Sequence, residues 1–301
     1  MSTKIVQDVI SKSENKIIES DATKLINSLP SNSVKLIITD PPYGIAYHSG
    51  HYKNKNPHTP VAHDWNFQIS SFFRVAERAL SEDGALYLFT RWDVYPLWVT
   101  SIPPTLKLKN CIVWMKNNWS AGDLKGNFGN QYELILFIVK GNHKIRGRRW
   151  SNIWQFPRIP AKKLRVATEK PVELLMRAIK ASSDLGDIVI DPYCGSGSTG
   201  EAAVRCGRKF LLGDIDRSMI KIASQRLGVP FKEDDPVLIS FPECPIMGVE
   251  PPEPHLWGIH PEDLANILKI ENERNEFKPR ITDFRVKPNS GAEITNNRGQ
   301  E

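Results

Sequence analysis

The 301-residue sequence has few cysteines and no long apolar run. Its four cysteines lie apart without a Cys-x-x-Cys pair, which argues against a disulfide framework and a structural zinc site. Four histidines in residues 44–64 also lack metal-site spacing, so no metal is predicted. Because no signal peptide and no run of about 18 apolar residues is present, we expect a cytoplasmic protein without a membrane span.

Acidic residues are absent from residues 140–165, which carry nine lysines and arginines with three large aromatic residues between them. The net charge of the chain is +6, but residues 228–301 hold 14 acidic and 8 basic residues, which leaves +12 on residues 1–227. Basic groups contact phosphates and aromatic rings stack on bases or pack on the core. We therefore predict a DNA-contact segment, with at least one tryptophan packed structurally. Its candidate contacts are Lys144, Arg146, Arg148, Arg149, Arg158, Lys162, Lys163 and Arg165.

Short apolar runs alternate with helical patterns along the first 227 residues. Strands are predicted at 16–19, 34–39, 85–90, 111–115, 133–140, 187–191 and 209–213. Helices are predicted at 69–80, 171–181, 199–206 and between Asp216 and Gly228. Such alternation is typical of a doubly wound α/β domain. We place that domain at residues 1–227 and a proline-rich, partly disordered extension at residues 228–301.

The second predicted strand ends in the tetrapeptide Asp40, Pro41, Pro42 and Tyr43. Two successive prolines restrict the backbone conformation where the chain leaves the sheet. The exocyclic amine of a base is a poor nucleophile because its lone pair is delocalised into the ring. The Asp40 carboxylate and the Pro41 carbonyl could accept its two N–H groups and free that lone pair, while Tyr43 offers a ring face to an extruded base. The alternative is a strand-ending turn with an exposed tyrosine.

A glycine-rich turn follows the sixth predicted strand, in the sequence DPYCGSGSTG at residues 191–200. Glycines there let the backbone approach a ligand closely, and Asp214, at the end of the next strand, suits ribose hydroxyls. The turn also satisfies the GxGxxG dinucleotide pattern, so a nicotinamide-dependent oxidoreductase stays open as an alternative. The charge of Asp191 disfavours a pyrophosphate and suits the ammonium and sulfonium of S-adenosylmethionine.

Taken in order, these motifs resemble those of the β group of DNA amino-methyltransferases, which methylate N6 of adenine or N4 of cytosine with S-adenosylmethionine. The DPPY motif precedes the glycine-rich motif, as it does in that group. Further similar stretches lie at residues 64–65, 83–89, 114–116, 132–133 and 168–171. The resemblance spans about residues 17–227 and implies a Rossmann-like methyltransferase fold. Its sheet would be seven-stranded and mostly parallel, with a circularly permuted order of motifs.

The resemblance also implies residue roles. Asp214 would bind the ribose of the cofactor, Asp21 would lie near its adenine, and Lys170 would lie near its methionine carboxylate. The implied cofactor set is Asp21, Asp40, Lys170, Asp191, Tyr193, Gly195, Gly197 and Asp214. The chain departs from the family at Val166 and Ala167, where family members usually read His-Pro or similar.

The first residue of the tetrapeptide indicates the base. Asp40 resembles the adenine enzymes, whereas enzymes that act on N4 of cytosine more often carry serine there. We therefore expect site-specific methylation of N6 of adenine in double-stranded DNA, by base flipping and direct transfer, with N4 of cytosine as the alternative. A homodimer and a cognate restriction endonuclease, as in restriction-modification systems, stay open as partners.

Overall fold

The computed structural model describes residues 15–43, 69–119, 125–228 and 238–241. The strands are β1 (Asn15–Glu19), β2 (Val34–Thr39), β3 (Leu80–Thr90), β4 (Leu106–Met115), β5 (Tyr132–Lys140), β6 (Ile153–Gln155), β7 (Ile188–Asp191), β8 (Lys209–Asp214) and β9 (Leu238–Phe241). The helices are α1 (Ala22–Asn27), α2 (Ile69–Ala79), α3 (Tyr95–Thr100), α4 (Val172–Ser182), α5 (Ser198–Arg205) and α6 (Arg217–Arg226). A short 3₁₀ turn covers Ala161–Lys163.

All the strands form one sheet in the order β6-β4-β5-β3-β2-β7-β8-β1-β9. The central strands β3, β2, β7, β8 and β1 pair in parallel, whereas β5 runs antiparallel to both β3 and β4. The carboxyl ends of β2, β7 and β8 therefore open at one edge, which we call the carboxyl edge. Strands β4 and β6 also run toward it.

Helices cover both faces of the sheet. Alternation along β2 directs Leu36 and Ile38 into the core layer beneath α4, α5 and α6, and Ile37 into the layer beneath α1, α2 and α3. The large buried side chains Phe72 and Trp98 fill the second layer. The predicted doubly wound α/β fold is thus confirmed.

The predicted strand number needs correction. Among the described residues the sheet has nine strands rather than seven, because the three-residue β6 and the late β9 join its two ends. The domain boundary at residue 227 stays a prediction; β9, which follows it, pairs antiparallel with β1. The chain divides into the units Met1–Pro251 and Pro252–Glu301. The second unit, Pro252–Glu301, lies outside the described residues, as do the predicted disorder of the tail and the histidine-rich loop.

Two short helices were absent from the sequence prediction. Helix α1 has six residues and begins after Asp21, whose carboxylate caps it by accepting a hydrogen bond from Lys24 N at 2.9 Å. Helix α3 also has six residues. Neither is long enough to show the periodicity on which sequence patterns depend. Within the described ranges, no helix has the length and apolarity needed to span a membrane.

Candidate active site

The two predicted motifs meet at the carboxyl edge. Strand β2 lies beside β7 in the register Ile37↔Ile190, so Asp40 and Asp191 leave the sheet at adjacent strand ends. A cleft opens there, and its lining includes both aspartates together with Phe89, Lys170 and Tyr193. Residues about 150 positions apart in the sequence therefore share one cavity wall.

Asp40 is held from two sides. The Tyr43 hydroxyl donates to Oδ1 at 2.7 Å, and the Lys170 ammonium pairs with Oδ2. Burial and the nearby negative charge of Asp40 raise the pKa of Tyr43 well above its usual value, so the hydroxyl keeps its proton and remains a donor. The hydrogen bond also fixes the Tyr43 ring beside the carboxylate.

Asp191 is a buried carboxylate in the wall of the cleft. It accepts hydrogen bonds from Thr199 Oγ1 at 2.5 Å and from Tyr193 N at 3.1 Å. Burial nevertheless raises its pKa to about 7, and the negative charges of Asp40 and Asp214 act in the same direction. A cationic group in the cleft would offset this cost, so the site suits a positively charged ligand.

The glycine-rich turn contacts Asp214 at the end of β8. Gly195 N donates to one carboxylate oxygen of Asp214 at 3.0 Å, and Asp216 N donates to the other at 3.0 Å. Gly197 has φ +78, and a Cβ on it would lie 2.9 Å from the Cβ of Ala223. The turn therefore requires glycine at this position.

Tyr193 lines the cleft, whereas Asp21 follows β1 beside β8 and its carboxylate caps α1. The pKa of Tyr193 is raised by burial and by the charges of Asp21 and Asp214. The Tyr193 ring lies 6.4 Å from that of Phe72.

Arg226 is a site residue that sequence reasoning missed. Its side chain is buried, and Nη1 donates to Glu169 Oε1 at 2.6 Å, to Ser198 Oγ at 3.0 Å and to Ser196 Oγ at 3.1 Å. It therefore ties the glycine-rich turn to the segment that carries Lys170. In the sequence it is indistinguishable from a basic residue in the last turn of a helix, which is usually solvent-exposed.

Comparison with known proteins identifies the family. The sequence profile of the N6/N4 DNA methylases matches residues 34–225, which is more than half of the chain. The chain belongs to this DNA methylase family. Membership confirms the predicted resemblance and removes the nicotinamide-dependent alternative.

Individual relatives agree with this assignment. The DNA adenine methyltransferase YhdJ of Escherichia coli (strain K12) is 30% identical over 250 residues, covering 71% of this chain and 82% of the relative. The type II methyltransferase M2.DpnII of Streptococcus pneumoniae is 27% identical over 245 residues, covering 72% and 90%. Among solved structures, the M1.HpyAVI–SAM complex has a TM-score of 0.57 at 21% identity, covering 71% of this chain and 98% of that one. This structural likeness supports the fold of the methylase.

The basic segment of the methylase does not lie on one surface. Strand β5 ends at the edge opposite to Asp40, so Lys144 and Arg146 follow it there, and Arg146 pairs with Asp184 at 3.0 Å. Arg148 lies 5.3 Å from the Trp150 ring, and Arg149 is exposed. These four residues are not brought to the cleft.

The second half of the segment returns to the carboxyl edge. It follows β6 and leads into Lys170, and the side chains of its four basic residues are exposed. These residues are Arg158, Lys162, Lys163 and Arg165. Arg165 also pairs with Glu169 at 3.2 Å. Trp154 lies in the core, as predicted for at least one tryptophan.

Proposed function

We propose that this methylase transfers a methyl group from S-adenosylmethionine to N6 of an adenine flipped out of double-stranded DNA. The observation that carries the proposal is the position of Asp40. Its carboxylate stands at the end of β2, fixed by Tyr43 and Lys170, and lines the same cleft as Asp191. An amine bound to Asp40 is thereby placed next to a ligand bound at the glycine-rich turn.

The cleft fits S-adenosylmethionine. The carboxylate of Asp191 is stabilised by a cation, and Asp214 can accept hydrogen bonds from ribose hydroxyls. Thr39 also lines the cleft, and its buried Oγ1 has no hydrogen-bond partner among the described residues. When bound, the cofactor supplies an electrophilic methyl group on a positively charged sulfur. Asp191 and the turn at Gly195 and Gly197 would hold its methionine half.

The residues of the tetrapeptide activate the amine. Asp40 accepts one N–H of the adenine amino group, and the Pro41 carbonyl accepts the other, so the nitrogen lone pair is directed out of the ring plane. Pro42 keeps this backbone stiff, and the Tyr43 ring stacks on the base. The lone pair freed in this way would be the nucleophile for the methyl group of a cofactor held by Asp191 and the glycine-rich turn. The proton that the amine then loses leaves through Asp40, whose side chain is 20% exposed.

Adenine is favoured over cytosine by two observations. The tetrapeptide begins with Asp40, and the relative that is 30% identical is named a DNA adenine methyltransferase. The cytosine-N4-specific PvuII DNA methyltransferase has a TM-score of 0.54 at 15% identity, covering 73% of this chain and 88% of that one, which supports a shared fold only. Transfer to N4 of cytosine is the alternative, and analysis of the methylated nucleosides distinguishes it from transfer to adenine.

Substitution of Asp40 tests the proposed role. In Asp40→Ala we expect methyl transfer to duplex DNA to fall below detection, while the dissociation constant for S-adenosylmethionine stays within a few fold of the wild-type value. Asp184→Ala, at the opposite edge of the sheet, is the matched control and should transfer at the wild-type rate. Turnover retained in Asp40→Ala would refute the assignment.

Two narrower hypotheses concern partners. The type II name of the pneumococcal relative supports a companion restriction endonuclease, and the test is whether DNA methylated by this protein resists that enzyme. A homodimer is tested by sedimentation of the purified protein with and without DNA. A monomer under both conditions would remove it.

A further inference from the structure

A chain of alternating charges runs from the sheet to Asp40. Lys116 Nζ lies 2.6 Å from Glu133 Oε1, and Lys170 Nζ lies 3.5 Å from Glu133 Oε2. Lys170 then pairs with Asp40. We call these four residues the lysine–carboxylate chain. Two of its members, Lys116 and Glu133, have no place in the amine-activating tetrapeptide or in the glycine-rich turn.

The register of the sheet places this chain at the carboxyl edge. Lys116 directly follows β4, and Glu133 lies on β5 opposite Trp114. The flanking aromatic rings shield the two ammonium groups, since Lys116 Nζ lies 4.8 Å from the Trp114 ring centroid and Lys170 Nζ lies 5.2 Å from that of Phe89. Such cation–π contacts hold each ammonium group beside its ring.

Solvent screens this chain weakly. The side chain of Lys170 is 10% exposed and that of Glu133 is 21% exposed, so the charges act on one another strongly. Glu133 Oε2 has no hydrogen-bond partner among the described residues, so its contact with Lys170 is an ion pair at 3.5 Å. Lys170 is therefore shared between two carboxylates rather than committed to Asp40 alone.

This sharing has a chemical consequence. If Lys170 neutralised Asp40 completely, that carboxylate would be a weaker acceptor for the N–H of an incoming amine. A second carboxylate on the far side of the ammonium draws charge away from the Lys170–Asp40 contact. Lys116 in turn keeps Glu133 ionised and fixes its orientation.

We propose that Glu133, supported by Lys116, is a positioning residue that acts through Lys170 to keep Asp40 oriented and strongly accepting. The inference rests on the proposed methyl transfer to an amine held by Asp40. It also assigns Lys170 to the orientation of Asp40, in place of the methionine carboxylate that the family resemblance implied for it.

The electrostatics of Lys170 and Glu133 agree with this ion pair. Burial lowers the pKa of Lys170, but the charges of Asp40 and Glu133 outweigh burial and raise it above its usual value. Burial raises the pKa of Glu133, but Lys170 and Lys116 outweigh it and lower that pKa below its usual value. Lys170 and Glu133 therefore both stay charged at neutral pH.

The test uses Glu133→Gln in the full-length protein. Glutamine keeps the size of the side chain and an oxygen for Lys116 but removes the charge. We expect the single-turnover rate of methyl transfer to fall at least tenfold, with the dissociation constant for S-adenosylmethionine within twofold of wild type. Glu133→Asp keeps the charge, should recover part of the rate, and serves as the second variant if the glutamine variant folds poorly.

A double-mutant cycle shows whether Glu133 acts through Lys170. Lys170→Met alone should lower the rate, and Glu133→Gln added to it should lower the rate no further. Asp83→Asn is the matched control, because it removes the carboxylate charge of the Lys35–Asp83 ion pair away from the cleft. This variant should transfer at the wild-type rate.

Three results would overturn the inference. These are a wild-type rate in Glu133→Gln, a rate loss that matches a parallel loss of folded protein or cofactor binding, and losses that add in the double variant. The base that wild-type protein methylates tests the proposed function separately. The ratio of variant to wild-type rate, measured on whichever base accepts the methyl group, tests only the positioning role.

Discussion

Asp191→Asn should stabilise the ligand-free methylase while weakening its cofactor site. The asparagine has the same shape, and its carbonyl oxygen can still accept from Tyr193 N. Its amide can donate to Thr199 Oγ1, which reorients as an acceptor, so both side-chain contacts survive. The substitution therefore removes a buried negative charge and little else.

The magnitude follows from the pKa of Asp191, which burial raises from an ordinary value near 3.8 to about 7. The native state keeps a proton that the unfolded chain loses near pH 4, so wild-type stability falls as the pH rises from about 4 to about 7. Above this window the ionised carboxylate costs the native state about 4 kcal/mol. Between about pH 6 and about pH 8, wild type should lose about 1–2 kcal/mol of stability relative to the asparagine variant.

Thermal unfolding at these two pH values measures the effect. The difference in melting temperature between Asp191→Asn and wild type should grow by roughly 3–6 °C from about pH 6 to about pH 8. Saturating S-adenosylmethionine should raise the melting temperature of wild type and leave that of the variant unchanged. A variant that is less stable at both pH values, or that responds to the cofactor as wild type does, would refute the reasoning.

Further substitutions test the glycine-rich turn, the buried arginine and the basic segment. Gly197→Ala should weaken cofactor binding at least tenfold in calorimetry, because a Cβ meets helix α6 and φ is positive there; unchanged affinity would contradict the geometry. Arg226→Met should lower stability by up to about 3 kcal/mol in urea unfolding, because it removes the buried cation that Glu169 and Glu201 share and leaves each with only a more exposed arginine. Replacing Lys162 and Lys163 with Met should weaken DNA binding and reduce its salt slope by up to about 2, whereas Lys144→Met should not. A similar loss of DNA affinity per lysine in Lys144→Met would indicate that all three lysines contact the DNA.

The sequence was sufficient to predict the centre of this fold. The seven apolar runs correspond to strands, and the DPPY and glycine-rich motifs lie on adjacent strands. These features are encoded locally, by apolar alternation and by glycines and prolines at strand ends. Strands β6 and β9 were missed because one has three residues and the other follows a polar, proline-containing stretch that resembles a linker.

Contacts between distant residues could not be predicted in this way. The contacts of the lysine–carboxylate chain depend on the pairing register of β4 and β5, which no local sequence pattern predicts. The basic segment was treated as one surface because charge composition does not reveal that the chain crosses from one edge of the sheet to the other. That crossing separates Arg146 from Lys162.

The identity of the methylated base tests the account most directly. Duplex DNA is incubated with the protein and S-adenosylmethionine carrying a deuterated methyl group, then digested to nucleosides and analysed by mass spectrometry. We expect the label in N6-methyladenine and its loss in Asp40→Ala. Label in N4-methylcytosine, or cofactor binding without label in DNA, would contradict the account.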